Sequence, residues 1–289
     1  MQRTRDYYLA LGYDNPYQWA HYEDVPFTPL QKGLSEAVIA IVATASPFQP
    51  DKGDQGPGAA YNADAKFYRV FAETTAVMPD LRIAHVAIDR DHTSAEDINT
   101  YFPLKALKSR QEEGAIKAVS PRFYGLPTNR SQRTTLERDI PELIDLIKQD
   151  HVDAVILVPN CPICHQSVSL AARGIEASGI PTVIMGCARD IVEHCGVPRF
   201  VFSDFPLGNS AGKPFDEASQ HQTLSMALSL LVEAKAPRST VPSPITWADD
   251  DDWKSDYSNA EKLSSEEINK RRQAFDAGKK AAQAIRDQS

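Results

Sequence analysis

Asp153-Ala154-Val155-Ile156-Leu157-Val158-Pro159, followed at once by Asn160-Cys161-Pro162-Ile163-Cys164-His165, decides how this 289-residue chain is read. The first seven residues form a short, apolar run rich in β-branched side chains, the pattern of a strand buried on both faces. Cys161 then stands where a helix N-cap belongs. Pro162 takes the favoured first helical position, where its missing N–H costs nothing. A strand feeding directly into a helix is half of a parallel crossover.

Downstream, the helix covers Ile163–Ser178 and stops at Gly179-Ile180-Pro181. Two further buried strands follow, Pro181–Gly186 and Arg199–Phe205, and then a helix with Leu224, Leu228 and Leu231 in register. Upstream, an amphipathic helix aligns Leu136, Ile140, Leu143, Ile144 and Ile147, and strands are expected over Ala37–Ala45 and Leu81–Asp89. This alternation predicts an α/β fold, a mostly parallel, Rossmann-like sheet with helices on both faces.

That domain spans residues 35–236, and the ends differ from it. Residues 1–34 are rich in aromatics and proline (Tyr7, Tyr8, Tyr13, Tyr17, Trp19, Tyr22, Phe27). They predict a short helix near Tyr7–Leu11 and then an extended arm, packed over the core or over a second copy in a homodimer. Residues 237–289 turn to Pro, Ser and Thr with an acidic run, Asp249–Asp252. A last helix is expected from Ser264, where Ser264 and Glu267 form a capping box ahead of a thin stripe, Ile268, Phe275 and Ile285. Gly53–Gly58 is expected as a surface loop, because Pro57 and the spacing break the dinucleotide pattern.

The net charge of −8, with no Lys/Arg-rich stripe, argues against nucleic acid as a partner. The longest apolar run, Ala37–Ala45, is too short to span a bilayer, and no apolar leader follows Met1–Tyr8. The expected location is the cytoplasm. Thiols stay reduced there, so four cysteines imply no disulfide framework, and the C-x-x-C pair points to redox chemistry or metal binding.

Ligands of parallel sheets gather outside the carboxyl ends of the strands. Those ends carry Thr44 and Ser46, then Asp89, Asp91 and His92, then Asn160 and Cys161, then Cys187, and finally Asp204. Gly208 belongs to a small-residue turn, Phe205–Gly212, whose amides can hold a carboxylate. Cys161 and Cys164 fall on the same side of a first helical turn, where free N–H groups and the helix dipole favour a thiolate. Attack by one thiolate and resolution by the other gives an internal disulfide, which an external dithiol reduces.

Three stretches together resemble a known family. They are Asp91-His92-Thr93 through Phe102-Pro103-Leu104, Val158-Pro159-Asn160-Cys161-Pro162-Ile163-Cys164-His165-Gln166, and Asp204-Phe205-Pro206-Leu207-Gly208. Leu11-Gly12-Tyr13 and Phe27-Thr28-Pro29-Leu30 add to the likeness. Over roughly residues 5–235 the chain is similar to the selenoprotein B family of glycine, sarcosine, betaine and D-proline reductases, nearest the D-proline branch. The resemblance implies reductive cleavage of a C–N bond by attack from the redox motif. It also implies a substrate held as an imine on a pyruvoyl group of a separate subunit. The family's motif carries selenocysteine, whereas Cys161 and Cys164 are both cysteines here.

The leading expectation is therefore a dithiol-dependent reductase without a resident cofactor, acting on a small amino-acid-like or amine substrate. Cys161 serves as nucleophile, Cys164 as resolving thiol, His165 or His92 as proton donor, and Asp91 orients His92. Thr44, Ser46, Asn160, Cys187, Asp204 and Gly208 are the expected substrate contacts. Two alternatives stand beside it. One is a zinc site built from Cys161, Cys164, Cys187 and His165. The other is a racemase-like pair, Cys161 and Cys187, on opposite faces of a substrate carbon.

Overall fold

In the computed structural model the strands of the central sheet lie in an order that sequence alone does not reveal. The structure describes residues 1–12, 17–57, 59, 62, 64–83, 85 and 87–286, so Tyr13 and Gly58 lie outside the described residues. Strand β1 (Val38–Ala43) is followed by β2 (Ser46–Pro47), β3 (Phe71–Thr74), β4 (Leu81–Arg82), β5 (Ala118–Val119) and β6 (Arg122–Gly125). Then come β7 (Ala154–Val158), β8 (Thr182–Gly186), β9 (Arg199–Phe202) and β10 (Ser239–Pro242). The helices are α1 (Gln2–Ala10), α2 (Leu104–Glu112), α3 (Gln132–Thr134), α4 (Ile140–Gln149), α5 (Pro162–Ala177), α6 (Arg189–Cys195), α7 (Glu217–Glu233) and α8 (Ser265–Arg286).

Across the main sheet the order is β10-β9-β8-β7-β1-β6-β3, with β5 also beside β1. Every pairing is parallel except that of the edge strand β3 with β6. Side chains alternate across the strands. Ile39, Ile41 and Ala43 enter one core with Leu104 and Leu107 of α2 and Leu224 and Leu228 of α7. Ala40 and Val42 enter the other with Leu143 and Ile147 of α4 and Val168 and Ile175 of α5. Each fully buried aliphatic side chain contributes about 1.5–3 kcal/mol, so both faces are driven by burial. The expected α/β architecture, with helices on both faces, is what forms.

One expected strand does not. Among the described residues of Leu81–Asp89 only Leu81–Arg82 is a strand, and it pairs antiparallel with Ser46–Pro47 outside the main sheet. Ile83 and Ile88 instead pack against the sulfurs of Cys161 and Cys164. The place beside β1 goes to β6, a short run whose Gly125 lets the Phe71 ring press in. A Cβ at Gly125 would stand 1.8 Å from that ring.

The sheet also runs past residue 236, because β10 pairs along β9 from Ser239↔Arg199 to Pro242↔Phe202. Helix α8 begins as the capping box requires, with the Glu267 amide donating to Ser264 Oγ at 3.2 Å. The side chains of Phe275 and Ile285 lie outside the described residues. The N-terminal arm packs over α5 of its own chain. The Ala20 amide donates to Gln166 Oε1 at 2.7 Å, and Arg173 lies 4.0 Å over the Tyr22 ring.

Taken along the chain, the parallel strands β6-β1-β7-β8-β9 lie in the order 2-1-3-4-5. The winding reverses between β1 and β7, and the crevice outside their carboxyl ends is the favoured ligand position of such a sheet. Ala43 and Val158 pair as the last rung, and the Thr44 amide donates to the Val158 carbonyl at 3.3 Å. Cys161 follows two residues after Pro159, so the C-x-x-C motif opens at this reversal point. Among the described residues no helix is long and apolar enough to cross a membrane.

Candidate active site

Strand β7 ends in Pro159, and the chain turns through Asn160 into α5. Cys161 caps that helix: its backbone is extended, and its Sγ accepts the Cys164 amide at 3.2 Å. Pro162 fills the first helical position. The two sulfurs come to 2.7 Å of each other, both as free cysteines. Cys161 is 6% exposed and Cys164 is fully buried, so an incoming molecule meets Cys161 first. Ile83, Ile88 and Ile163 pack around them, giving the dithiol an apolar wall.

Burial opposes ionisation at both sulfurs. At Cys164 this is outweighed by hydrogen bonding from Cys161, by the charge and hydrogen bond of His85, and by the Thr44 hydroxyl, which hold its thiol well below the ordinary range. Burial and the neighbouring Cys164 push the Cys161 thiol up, opposed by the Cys164 amide and the charge of Lys66. Arg90 adds positive charge near Cys161 and donates to the His85 carbonyl at 2.5 Å. The pair therefore gives up one proton readily and holds the second.

His85 is the residue beside the two cysteines that sequence reasoning missed. It is 6% exposed, and a donor atom from each of His85, Cys161 and Cys164 lies within 4.8 Å of the others. The signal was a lone ionisable residue inside the apolar run 83–88, which strand periodicity alone absorbs.

His165, an expected proton donor, is instead a structural tie. Its Nδ1 lies 2.8 Å from the Cys161 carbonyl, while Nε2 accepts the amides of Cys187 at 2.9 Å and Ala188 at 3.1 Å. An Nε2 accepting two N–H groups carries no proton, so Nδ1 is the donor and the ring is neutral. Burial lowers its pKa in the same direction. Neither nitrogen is left for a proton transfer or a metal, and the residue pins α5 to the end of β8.

The second histidine is arranged differently from the sequence expectation. His92 Nδ1 meets Asp89 at 3.1 and 3.2 Å, so the buried Asp89 orients it, and Asp91 is exposed. Its Nε2 lies 3.4 Å from Asp256 of the C-terminal segment.

Among the other expected contacts, Thr44 and Asn160 join the dithiol's floor: Asn160 Nδ2 donates to Thr44 Oγ1 at 3.2 Å, and Asn160 Oδ1 is buried without a partner. Ser46 is buried in the small two-stranded ladder with Arg82. Asp204 is surface-exposed and pairs with Lys254 at 2.6 Å, tethering the C-terminal segment. Gly208, at φ +117°, lets its turn close on Thr93, whose Cγ2 would stand 2.7 Å from a Cβ there.

Cys187 faces Ser210 Oγ at 3.8 Å, and burial raises its thiol to about 12. The expected metal set of Cys161, Cys164, Cys187 and His165 is not brought together as a cluster among the described residues.

The family model described as glycine/sarcosine/betaine reductase selenoprotein B matches residues 11–160, ending immediately before Cys161. D-proline reductase subunit gamma of Acetoanaerobium sticklandii is 31% identical over 220 residues, covering 75% of this chain and 88% of the relative. Glycine reductase complex component B subunit gamma of Symbiobacterium thermophilum is 26% identical over 222 residues, covering 74% of this chain and 50% of the relative. Betaine reductase complex component B subunit beta of Peptoclostridium acidaminophilum is 26% identical over 184 residues, covering 62% and 41%. The chain thus spans most of the D-proline relative and half or less of the other two. No solved structure matches it significantly.

Proposed function

The chain belongs to the glycine/sarcosine/betaine reductase selenoprotein B family, and from that premise we propose that it is a dithiol-dependent reductase cleaving a C–N bond. The observation that carries the reading is the Cys161–Cys164 pair, 2.7 Å apart at the start of a helix and at the reversal point of the sheet. The substrate class is a small amino acid or amine, with D-proline the first to try because of the relative's name. A partner subunit presenting the substrate on a pyruvoyl group, and a cytoplasmic setting, belong to the same proposal.

The chemistry balances in two steps. Cys161 passes its proton to the Cys164 thiolate 2.7 Å away and, now the thiolate itself, attacks the carbon; a C–S bond forms, the C–N bond breaks, and nitrogen leaves with the proton returned from Cys164. Cys164 then attacks the Cys161 sulfur; the S–S bond forms, the C–S bond breaks, and carbon departs with its electron pair to take a proton. Two thiols have become a disulfide, the substrate has gained two electrons and two protons, and an external dithiol resets the pair. Lys66 and Arg90 favour the anion at Cys161, and the apolar wall of Ile83 and Ile88 excludes water from it.

The test is anaerobic purification, mild oxidation and peptide mapping, followed by turnover with D-proline, a dithiol and the pyruvoyl partner subunit. A Cys161–Cys164 disulfide and a ring-opened product, both lost in Cys161→Ser, are expected. Full turnover in Cys161→Ser, or oxidation that leaves both thiols free, overturns the reading.

A further inference from the structure

We propose that His85, Cys161 and Cys164 form a zinc site that the reduced chain loads and the disulfide form cannot. One donor atom from each of the three residues lies within 4.8 Å of the others, and all three residues are buried. His85 brings the independent sign: its Nδ1 is buried with no hydrogen-bond partner. A buried imidazole nitrogen without a partner is costly, and the ring that carries it is within reach of both sulfurs. Two sulfurs and one imidazole suit zinc, and three protein ligands leave a fourth position open. A water completes the tetrahedron at that position.

Zinc–sulfur bonds of about 2.3 Å place tetrahedral sulfurs about 3.8 Å apart. Loading therefore turns the Cys161 side chain, the more exposed of the two, away from its 2.7 Å contact. Thiol protons leave to solvent and no electrons move. The charges of Lys66 and Arg90 near Cys161 weaken the site relative to an isolated trio. The lone pairs that bind the metal are the ones that would attack a substrate, so zinc both shields the reduced pair and silences it.

The experiment titrates reduced, metal-free full-length chain with Co²⁺ as spectroscopic probe and with Zn²⁺ in competition. One Co²⁺ per chain is expected, with thiolate charge transfer and the intense visible bands of tetrahedral cobalt, displaced by Zn²⁺. His85→Gln and His85→Ala should each weaken binding roughly tenfold or more, and Cys187→Ser should leave it unchanged. In wild type, Zn²⁺ should protect Cys161 and Cys164 from alkylation, read by peptide mapping, which needs no variant to fold. Absence of binding by the wild-type chain overturns the proposal. So does binding retained in the Cys161→Ser/Cys164→Ser double variant, or binding lost in Cys187→Ser and kept in His85→Gln. Oxidation of the metal-free chain tests the dithiol reading separately, so the two can fail independently.

Discussion

The two ends of α5 are both buried and both polar, yet they are built on opposite terms. At the C-terminal end, Glu176 Oε1 accepts the Thr182 amide at 2.6 Å and Arg199 at 2.7 Å, while Oε2 accepts the Thr28 amide at 2.5 Å. Arg199 reaches the Thr28 carbonyl at 2.8 Å and lies 4.3 Å over the Phe27 ring. This cluster joins β8, β9 and the N-terminal arm, and its charges answer one another. At the N-terminal end, two adjacent sulfurs share their environment with a His85 Nδ1 and an Asn160 Oδ1 that have no partner. Polar burial that is saturated but for one atom, the Arg199 Nε, and neutralised charge for charge holds architecture together, whereas partnerless atoms beside two thiols keep valence in reserve for something that arrives.

Substitutions at each end should separate these roles. The largest effect expected is Cys161→Ser: turnover lost altogether, with thermal stability within about 1 kcal/mol of wild type because the change is nearly isosteric. A large drop in stability would mean that the N-terminal end is structural after all. Arg199→Met should cost about 3–5 kcal/mol in denaturant unfolding, since it strands a buried carboxylate, and should leave thiol reactivity of the folded fraction unchanged.

His165→Ala tests the comparison from inside the active end. It strands the Cys187 and Ala188 amides and the Cys161 carbonyl, so a loss of about 3 kcal/mol is expected, with the Cys161–Cys164 disulfide still forming on oxidation. Retained stability with lost chemistry would restore His165 as a proton donor.

The smallest effect is expected at Asp97. Burial opposes its charge, but the amides of Phe215 and Asn99 and the side chains of Gln220 and Asn99 hold its carboxyl below the usual range. Its contribution is full above the ordinary carboxylate pKa and is lost as pH falls through the depressed native value. Asp97→Asn should cost about 2 kcal/mol at pH 7 and make unfolding less sensitive to acid. Equal acid sensitivity in the variant would remove Asp97 from the saturated class.

Much of this was legible because β7 and α5 agree at every level: a β-branched run, a capping residue, a proline at the first helical position and a glycine stop. The same consistency placed β1, β8, β9 and α7. Strand β6 was hidden because Arg122–Gly125 is four residues long, too short for a period to register. Strand β10 was hidden because its Ser-Thr-Val-Pro composition reads as loop, although proline suits an edge. At the site, the cysteines were legible from spacing, and the reversal point was not, because it depends on where β6 pairs. His85 followed the same fate: only the tertiary structure brings Ile83, His85 and Ile88 to the two cysteines.

Strand β10 has a practical consequence for anyone shortening this chain. The α/β domain read from the sequence stops at residue 236, which invites a cut there, yet β10 covers the backbone of β9, where Phe200 and Val201 are fully buried. Removing it would leave the hydrogen-bonding row of a hydrophobic strand open to another molecule, a recipe for self-association. A trimmed version should keep at least Ser243, whose amide donates to the Phe202 carbonyl of β9 at 2.7 Å.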